Sequence, residues 1–305
     1  MSVSFIIPSR HEMMMVNETE TVLQRMVRDI HEKATGDFEV VVVYDGEPYQ
    51  NLPDYPNLVV LKTEQAGTKT AVNRGAEAAS GKYLFKLDSH CMVGPDIDKI
   101  LSASMQDNWV VMPRFYVLDA ENWKWQDNRF YDYFRLPCPL TDKKGFRFQA
   151  GGHWKERTKE RLDIPIDENM KLHGSCFFMS RKFFWDALGG LDPNNGAGPT
   201  NGEDIEISLK TWLGPWDGKV IVNKNTWYAH MHRGGQRPRE FPVSERQAHK
   251  SALWTADYWM GNSWPERVRD TGWLIDKFFP VPGWPDDWRR RHGEYLYAKY
   301  GAVKS

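Results

Sequence analysis

Apolar residues in the first third of the chain fall into short runs and helical repeats that predict alternating strands and helices. Val3–Pro8 and Phe38–Tyr44 are almost wholly apolar, as in strands that are buried in a parallel sheet. Between them, apolar residues recur every three or four positions over Glu18–Lys33, which predicts an amphipathic helix. Leu58–Leu61 and Tyr83–Leu87 predict two further short strands.

The segment between those two short strands completes a recognisable order of elements. An alanine-rich helix is predicted over Thr68–Ala79, and Gly81 follows its end. The order β-α-β-β-α-β predicts an α/β nucleotide-binding fold of the doubly wound type. Right-handed crossovers bring the loops after its parallel strands to one edge of the sheet, where ligands bind in such folds.

The pattern is looser beyond residue 88. Trp109–Val117 predicts another strand and Asp204–Trp212 another helix, whereas Leu118–Gly152 is aromatic, charged and irregular. Arginine, glycine and proline cluster over Arg233–Pro242 and indicate a boundary. We therefore expect a main domain over residues 1–233 and a helical, Trp-rich extension over residues 234–305.

Two metal-capable side chains follow the strand that ends at Leu87. Asp88 and His90 are separated by one residue, so along an extended chain both point to the same side and can reach one ion. A carboxylate together with an imidazole suits Mn²⁺ or a similar divalent cation such as Mg²⁺. An aspartate at a strand end is otherwise a turn residue, but the pair favours a metal site.

A third ligand has to come from a distant part of the chain. His230 and His232 repeat the same separation near the end of a later predicted strand. The spacing alone does not choose between them.

Gly202-Glu203-Asp204 opens a predicted helix. Acidic residues are favoured in the first turn of a helix, and Asp is a good cap, which is the structural interpretation. In the functional interpretation Glu203 and Asp204 are catalytic. One of these carboxylates then faces the reacting centre as a hydrogen-bond acceptor or as a general base.

Polar residues near other strand and helix ends extend this candidate site. Asp45 ends a buried strand, and Lys69 and Arg74 flank the alanine-rich helix, where they meet either phosphate or solvent. Neither a P-loop nor a dinucleotide fingerprint is present. The residues predicted to bind a nucleotide are Pro8, Ser9, Arg10, Asp45, Gly67, Lys69, Arg74, Asp88 and Ser89.

Several of these motifs together resemble the GT-A nucleotide-sugar glycosyltransferases. The first strand into Pro8 and the run Val40–Gly46 are similar to the nucleotide-holding strands of glycosyltransferase family 2. Arg74–Ala79 and the following Asp88-Ser89-His90 resemble the polypeptide N-acetylgalactosaminyltransferases, as do Gly189–Asp192 and Gly202–Ser208. The resemblance covers residues 3–233.

This resemblance implies a GT-A fold, a mixed α/β sheet flanked by helices, and a UDP-sugar donor. It also implies a divalent cation, Mn²⁺ or Mg²⁺, held by Asp88, His90 and His230, that bridges the donor diphosphate. The polypeptide transferases have Asn after the Glu of the Gly-Glu motif, whereas this chain has Asp204. An aspartate there is closer to inverting transferases, in which it deprotonates the acceptor hydroxyl.

Within this framework, residues 1–117 form the donor half of the catalytic domain and residues 118–233 the acceptor half. The residues predicted to contact the acceptor are Trp123, Trp125, His232 and Arg233.

Bulk composition excludes several classes of protein. Lys+Arg 40 and Asp+Glu 41 nearly cancel, so charge alone does not make the whole chain a polyanion binder. No run approaches the roughly 18 apolar residues of a membrane span, and the N-terminus does not resemble a secretory signal. Three cysteines without CxxC spacing argue against a disulfide framework, so we expect a cytoplasmic enzyme, in the host cytoplasm if it is virus-encoded.

The last quarter of the chain holds six of the 14 tryptophans, and residues 233–305 hold 13 Lys+Arg against 9 Asp+Glu. Packing and solvation of a helical tail explain both features. Alternatively, the arginines track a phosphate backbone while the aromatics stack bases. That hypothesis predicts sugar transfer to a hydroxymethylated pyrimidine in DNA, with the base flipped out of the helix.

Other acceptors and reactions remain open at this stage. A cell-envelope polysaccharide, a lipid-linked sugar or another glycan is the main alternative acceptor. The same ion would also serve a nucleotidyltransferase or a nucleotide-sugar hydrolase. A catalytically inactive binding module is disfavoured, because each polar position expected of an active site is present.

Overall fold

A computed structural model describes residues 2–148, 152–194, 202–232 and 244–301 of the chain. Within these residues a ten-stranded mixed sheet forms the centre of the fold. Its strands are β1 (Val3–Ser9), β2 (Phe38–Asp45), β3 (Leu58–Thr63), β4 (Tyr83–Leu87), β5 (Cys91–Val93), β6 (Trp109–Asp119), β7 (Lys124–Tyr131), β8 (Ile166–Glu168), β9 (Cys176–Ser180) and β10 (Lys219–His230). The helices are α1 (Val22–Lys33), α2 (Thr68–Ala78), α3 (Ile97–Ser104), α4 (Lys155–Glu160), α5 (Glu203–Leu213), α6 (Glu245–Met260), α7 (Thr271–Phe278) and α8 (Trp288–Tyr300).

The strand order is β3-β2-β1-β4-β9-β6-β10-β5, with β7 beside β6 and β8 beside β10. The first four strands are parallel to one another. Strand β9 runs antiparallel to both β4 and β6 and therefore joins the parallel half to the rest of the sheet. All residues of β1 and nearly all of β2 are buried, as their continuous apolar sequence predicts.

The structure corrects several predicted boundaries. Helix α1 begins at Val22 and not at Glu18, because Thr21 and Gln24 form a reciprocal capping box there. The segment predicted to be irregular contains β7, which folds back along β6. The late strand β10 continues to His230 through an irregularity in its register between Asn223 and Trp227.

The C-terminal helices pack against the body of the protein and share its hydrophobic core. The indole of Trp284 donates a hydrogen bond to the carbonyl of Leu136, 2.8 Å away, and the rings of Phe146 and Tyr295 stack at 3.7 Å. The buried tryptophans of this region are Trp259, Trp264, Trp284 and Trp288. Packing, the first of the two explanations given for these aromatics, accounts for these four.

A buried charge network ties helices α2 and α5 together. The Glu206 side chain is 1 % exposed, and its two oxygens lie 2.7 Å from Lys69 Nζ and 2.9 Å from Lys210 Nζ. The backbone N–H of Asp192 donates to the same carboxylate, and Lys210 donates to the carbonyls of Leu188 and Gly190. A buried carboxylate requires such partners, because its desolvation is costly.

We expect Glu206→Gln to destabilise the protein by roughly 3 kcal/mol or more, because it removes the charge between two buried lysines. Urea-induced unfolding followed by circular dichroism measures the change. Asp186→Asn, which breaks the exposed pair with Lys182, is the matched control and should change stability little. Equal effects of the two substitutions would contradict a structural role for the buried network.

Candidate active site

A cavity of about 1180 Å³ opens beside the ends of β1, β2 and β4. One wall comes from the loops after these strands, another from the first turn of α5 and the end of β10, and a third from α6. The C-terminal extension therefore takes part in shaping the cavity. It supplies Arg246, His249 and Thr255 to the lining.

The sheet brings together the three predicted metal ligands. Asp88 and His90 follow β4, and the next residue, Cys91, pairs with His230 across the antiparallel β5–β10 ladder. The N–H of Met231 donates to the carbonyl of His90, which fixes the two chains side by side. The rings of His90 and His230 lie 4.7 Å apart, centre to centre.

One potential ligand atom from each of Asp88, His90 and His230 lies within 4.8 Å of the other two. His230 Nε2 is 3.3 Å from Asp88 Oδ2, but within the described chain neither nitrogen of this buried ring has a hydrogen-bond partner of good geometry. Buried polar atoms without hydrogen-bond partners are uncommon, and a bound metal ion would provide a partner for one of these two nitrogens. One carboxylate and two imidazoles thus fit a divalent cation.

The carboxylate of Glu12 orients the His90 ring. Its Nδ1 lies 2.8 Å from Oε2 of Glu12, and Ser89 donates its hydroxyl to the same oxygen over 3.0 Å. Because a carboxylate only accepts, Nδ1 carries the ring proton and Nε2 keeps its lone pair for a metal. Glu12 is 3 % exposed, and this carboxylate–histidine arrangement is common behind metal-binding imidazoles.

Burial and neighbouring charges set the protonation states of the ligands. Burial would raise the pKa of Asp88, but the charge of Lys86 and the nearby histidines hold it well below its ordinary value. Burial lowers the pKa of His230 to about 4, against an opposing contribution from Asp88. At neutral pH the site therefore presents a carboxylate and a neutral imidazole, which are the metal-binding forms.

Lys86 is a buried cation directly beneath this group. Its side chain is 1 % exposed, and its Nζ lies 2.5 Å from Asp88 Oδ1 and 2.6 Å from the carbonyl of Gly174. Although desolvation opposes ionisation, the negative charges of Asp88 and Glu203 raise the pKa of Lys86. Lys86 therefore fixes one oxygen of Asp88 and leaves Oδ2 on the side of His230.

The two acidic residues that open α5 have different surroundings. Burial and the neighbouring charges of Asp88 and Asp204 raise the pKa of Glu203, while Lys86 opposes the rise. Asp204 instead forms an ion pair through Oδ2 with Lys171, a residue that is 2 % exposed. Both carboxylates line the cavity, as the sequence predicted for catalytic groups.

The predicted donor residues divide into two sets. Residues that line the cavity are Pro8, Ser9, Arg10, Asp45, Asp88 and Ser89. The Asp45 carboxylate also accepts N–H hydrogen bonds from Ala66 and Gly67, at 2.6 and 3.0 Å, and so holds the start of α2. Asp45 therefore stabilises the turn before α2 and also forms part of the cavity wall.

The other three predicted donor residues do not line the cavity. Gly67 precedes α2 with φ +93° and contributes its N–H to Asp45. Lys69 forms an ion pair with buried Glu206, and Arg74 is half-buried and donates to the carbonyl of Glu64. The sequence places all three residues near α2. It does not show which side of this helix faces the cavity, because that depends on packing.

The predicted acceptor residues likewise do not all line the cavity. His232 lines the cavity and packs against Phe115, whereas Arg233 lies outside the described residues. Trp123 donates its indole N–H to buried Asp29 over 3.1 Å, and Trp125 packs on Trp227 with ring centres 4.5 Å apart. Neither tryptophan lines the cavity: Trp123, in the turn before β7, lies against α1, and Trp125, in β7, lies against β10.

Sequence reasoning missed several residues of the site. Glu12, Lys171, His153 and His173 line the cavity but stand in no recognisable motif. Lys86 did carry a signal, because a lysine between Phe85 and Leu87 in an apolar strand needs a buried partner.

The described helices include none that is both long enough and sufficiently apolar to cross a membrane. Cys91, Cys138 and Cys176 are buried and free.

Comparison with known proteins agrees with this geometry. Residues 4–188 match the model of Glycosyl transferase family 2. Polypeptide N-acetylgalactosaminyltransferase 5 of Caenorhabditis elegans is 29% identical over 266 residues, which cover 80% of this chain and 40% of the relative. The chain thus spans less than half the length of this relative.

Solved structures share the fold. A crystal structure of GalNAc-T7 with UDP, GalNAc and Mn²⁺ superposes with a TM-score of 0.62 at 18% identity, over 100% of this chain and 52% of that one. Residues 1–349 of TarS from S. aureus give a TM-score of 0.55 at 11% identity, over 100% and 75% of the two chains. The predicted GT-A fold with its helical C-terminal region is confirmed. The chain belongs to glycosyltransferase family 2 and is homologous to the polypeptide N-acetylgalactosaminyltransferases.

Proposed function

We propose that the protein transfers a sugar from a UDP-sugar to a hydroxyl group of an acceptor, with a divalent cation, Mn²⁺ or Mg²⁺, held by Asp88, His90 and His230. One observation carries the proposal: this ligand group and Asp204 line the same cavity. The bound cation would neutralise charge on the departing diphosphate. The Mn²⁺ and UDP in the GalNAc-T7 structure support this choice.

The donor occupies the wall formed by the first two strands. Pro8, Ser9 and Asp45 face the nucleotide there, at the carboxyl ends of parallel strands where nucleotides usually bind. The charges of both Asp88 and Asp204 raise the pKa of Glu203, so its carboxyl group lies near both residues. Its carboxyl group accepts a hydrogen bond from a hydroxyl of the donated sugar.

Asp204 is the general base. Its Oδ2 pairs with Lys171, whereas Oδ1 has no hydrogen-bond partner in the described part of the chain. The acceptor hydroxyl gives its proton to Oδ1, and its oxygen forms a bond with the anomeric carbon. The bond from that carbon to the diphosphate oxygen breaks, and its electron pair leaves with UDP. Direct attack inverts the configuration of the anomeric carbon.

A glycan or a protein hydroxyl is the acceptor class that we propose, in line with the relatives. The DNA acceptor receives no support from them. Arg289, Arg290 and Arg291 of the basic tail pair with Asp276, Asp287 and Glu294, which reduces the positive charge available for a phosphate backbone. The cytoplasmic location stays a prediction.

The donor is tested by a thermal-shift screen of UDP-, GDP-, CDP- and TDP-sugars with and without Mn²⁺. We expect stabilisation by UDP-sugars that depends on the metal, of about 2.7 kcal/mol at a hundred times the dissociation constant. Stabilisation that is equal without metal, or that favours another nucleotide, would contradict the proposed donor site. Release of sugar and UDP at the full rate without any acceptor would indicate a hydrolase instead.

Metal binding is tested by titration calorimetry with Mn²⁺ alone. We expect Asp88→Asn to abolish binding and Glu12→Gln to weaken it by roughly 10- to 100-fold, because Glu12 orients the His90 ring. Glu32→Gln on the exposed face of α1 is the control and should bind like the unmodified protein. Undiminished Mn²⁺ affinity in Asp88→Asn would refute this metal site.

The base is tested with Asp204→Asn. We expect this variant to bind Mn²⁺ and UDP normally but to lose transfer by roughly 100-fold or more, the usual range for a missing general base. Rates with UDP-N-acetylgalactosamine and UDP-N-acetylglucosamine are compared at saturating metal, using methyl glycosides and serine/threonine peptides as acceptors. Full transfer activity in Asp204→Asn would exclude the base role.

A further inference from the structure

We propose that Lys171 is a positioning residue that holds one carboxylate oxygen of Asp204, Oδ2, and so leaves the other, Oδ1, for the acceptor. The inference rests on the proposed function of Asp204. Lys171 belongs to no recognisable sequence motif. It begins from burial: Lys171 is 2 % exposed, and a lysine this deep is retained only with a partner.

The position of Lys171 is fixed on two sides. Its backbone bridges to Phe134, and its Nζ lies 5.8 Å from the centre of that ring. The same Nζ donates to the carbonyl of Leu172 over 2.8 Å and to Oδ2 of Asp204. These contacts leave the ammonium group little freedom, so the ion pair also fixes the rotation of the carboxylate.

Because the rotation of the Asp204 carboxylate is fixed, its two oxygens have different surroundings. Oδ2 is held by Lys171, whereas Oδ1 has no hydrogen-bond partner in the described part of the chain. Because Asp204 lines the cavity, Oδ1 is the oxygen that remains for an acceptor hydroxyl.

The other charged groups near Asp204 are either negative or paired elsewhere. In the first turn of α5, Glu203 repels a second negative charge, and Asp88 after β4 adds to that repulsion. Lys86 is engaged with Asp88. Among the described residues, Lys171 is the ion-pair partner of Asp204.

The remaining titratable neighbours are the imidazoles of His153 and His173, which line the same cavity. Burial lowers the pKa of His153 to about 4, and burial also lowers that of His173, with Lys171 contributing to both shifts. Both rings are therefore neutral at pH 7 and add no positive charge beside Asp204. The ammonium group of Lys171 supplies the compensation for this carboxylate.

The inference is tested with Lys171→Met and Lys171→Gln, compared with Lys171→Arg, which retains the charge. Without the contact from Lys171 the Asp204 carboxylate loses its fixed orientation, so kcat for transfer should fall by roughly 10- to 100-fold while KM for the UDP-sugar stays unchanged. Lys171→Arg should keep kcat near its original value. Lys182→Met, which breaks an exposed Lys–Asp pair, is the matched control and should not change kcat.

A second readout does not depend on transfer. Calorimetry with Mn²⁺ and UDP verifies that each variant is folded and binds donor. If Lys171→Met does not fold, Lys171→Gln, which retains a donor for the Leu172 carbonyl, decides the question.

Two negative outcomes are distinguishable. If Asp204→Asn loses transfer but kcat of Lys171→Gln equals that of the unmodified protein, the role of Lys171 is wrong and the proposed function stands. If Asp204→Asn retains full transfer, the base assignment itself fails.

Discussion

The pairing of β5 with β10 is the constraint on which the candidate site depends. It sets His230 beside Cys91 and therefore beside the Asp88-Ser89-His90 segment, although the two parts of the chain are far apart in sequence. Backbone hydrogen bonds fix that register, so the distance between the imidazoles does not rely on flexible loops. A shift of one residue would turn His230 to the other face of the sheet.

Buried charges of opposite sign are matched one against another throughout the site. Lys86 compensates Asp88, Lys171 compensates Asp204, and Lys69 with Lys210 compensates Glu206. Glu206 is 1 % exposed and needs such partners, whereas the side chains of Asp88 and Asp204 are 29 % and 20 % exposed. In the first two pairs the lysine holds one carboxylate oxygen of a residue that lines the cavity, whereas the third group is internal and holds two helices together.

The C-terminal extension is part of the same structure. Its tryptophans enter the common core, and α6 contributes a wall of the cavity. The main domain predicted over residues 1–233 and the extension predicted over residues 234–305 therefore share one core and one cavity. The family model matches residues 4–188, so the wall built by α6 lies beyond the matched segment.

The resemblance of its motifs to a known family predicted the GT-A fold. The sequence by itself determined the alternation of strands and helices up to residue 87 and the choice of Asp88 and His90 as metal-ligand candidates. These features are local: apolar runs set the strands, and Asp88 and His90 are close neighbours in the chain. The sequence did not assign Lys69 to Glu206, turn Trp123 and Trp125 away from the cavity, or bring Lys86, Lys171 and Glu12 to the carboxylates and imidazoles they hold. Only the tertiary structure decided these contacts, because they join distant segments whose relative positions depend on sheet register and helix packing, not on local spacing.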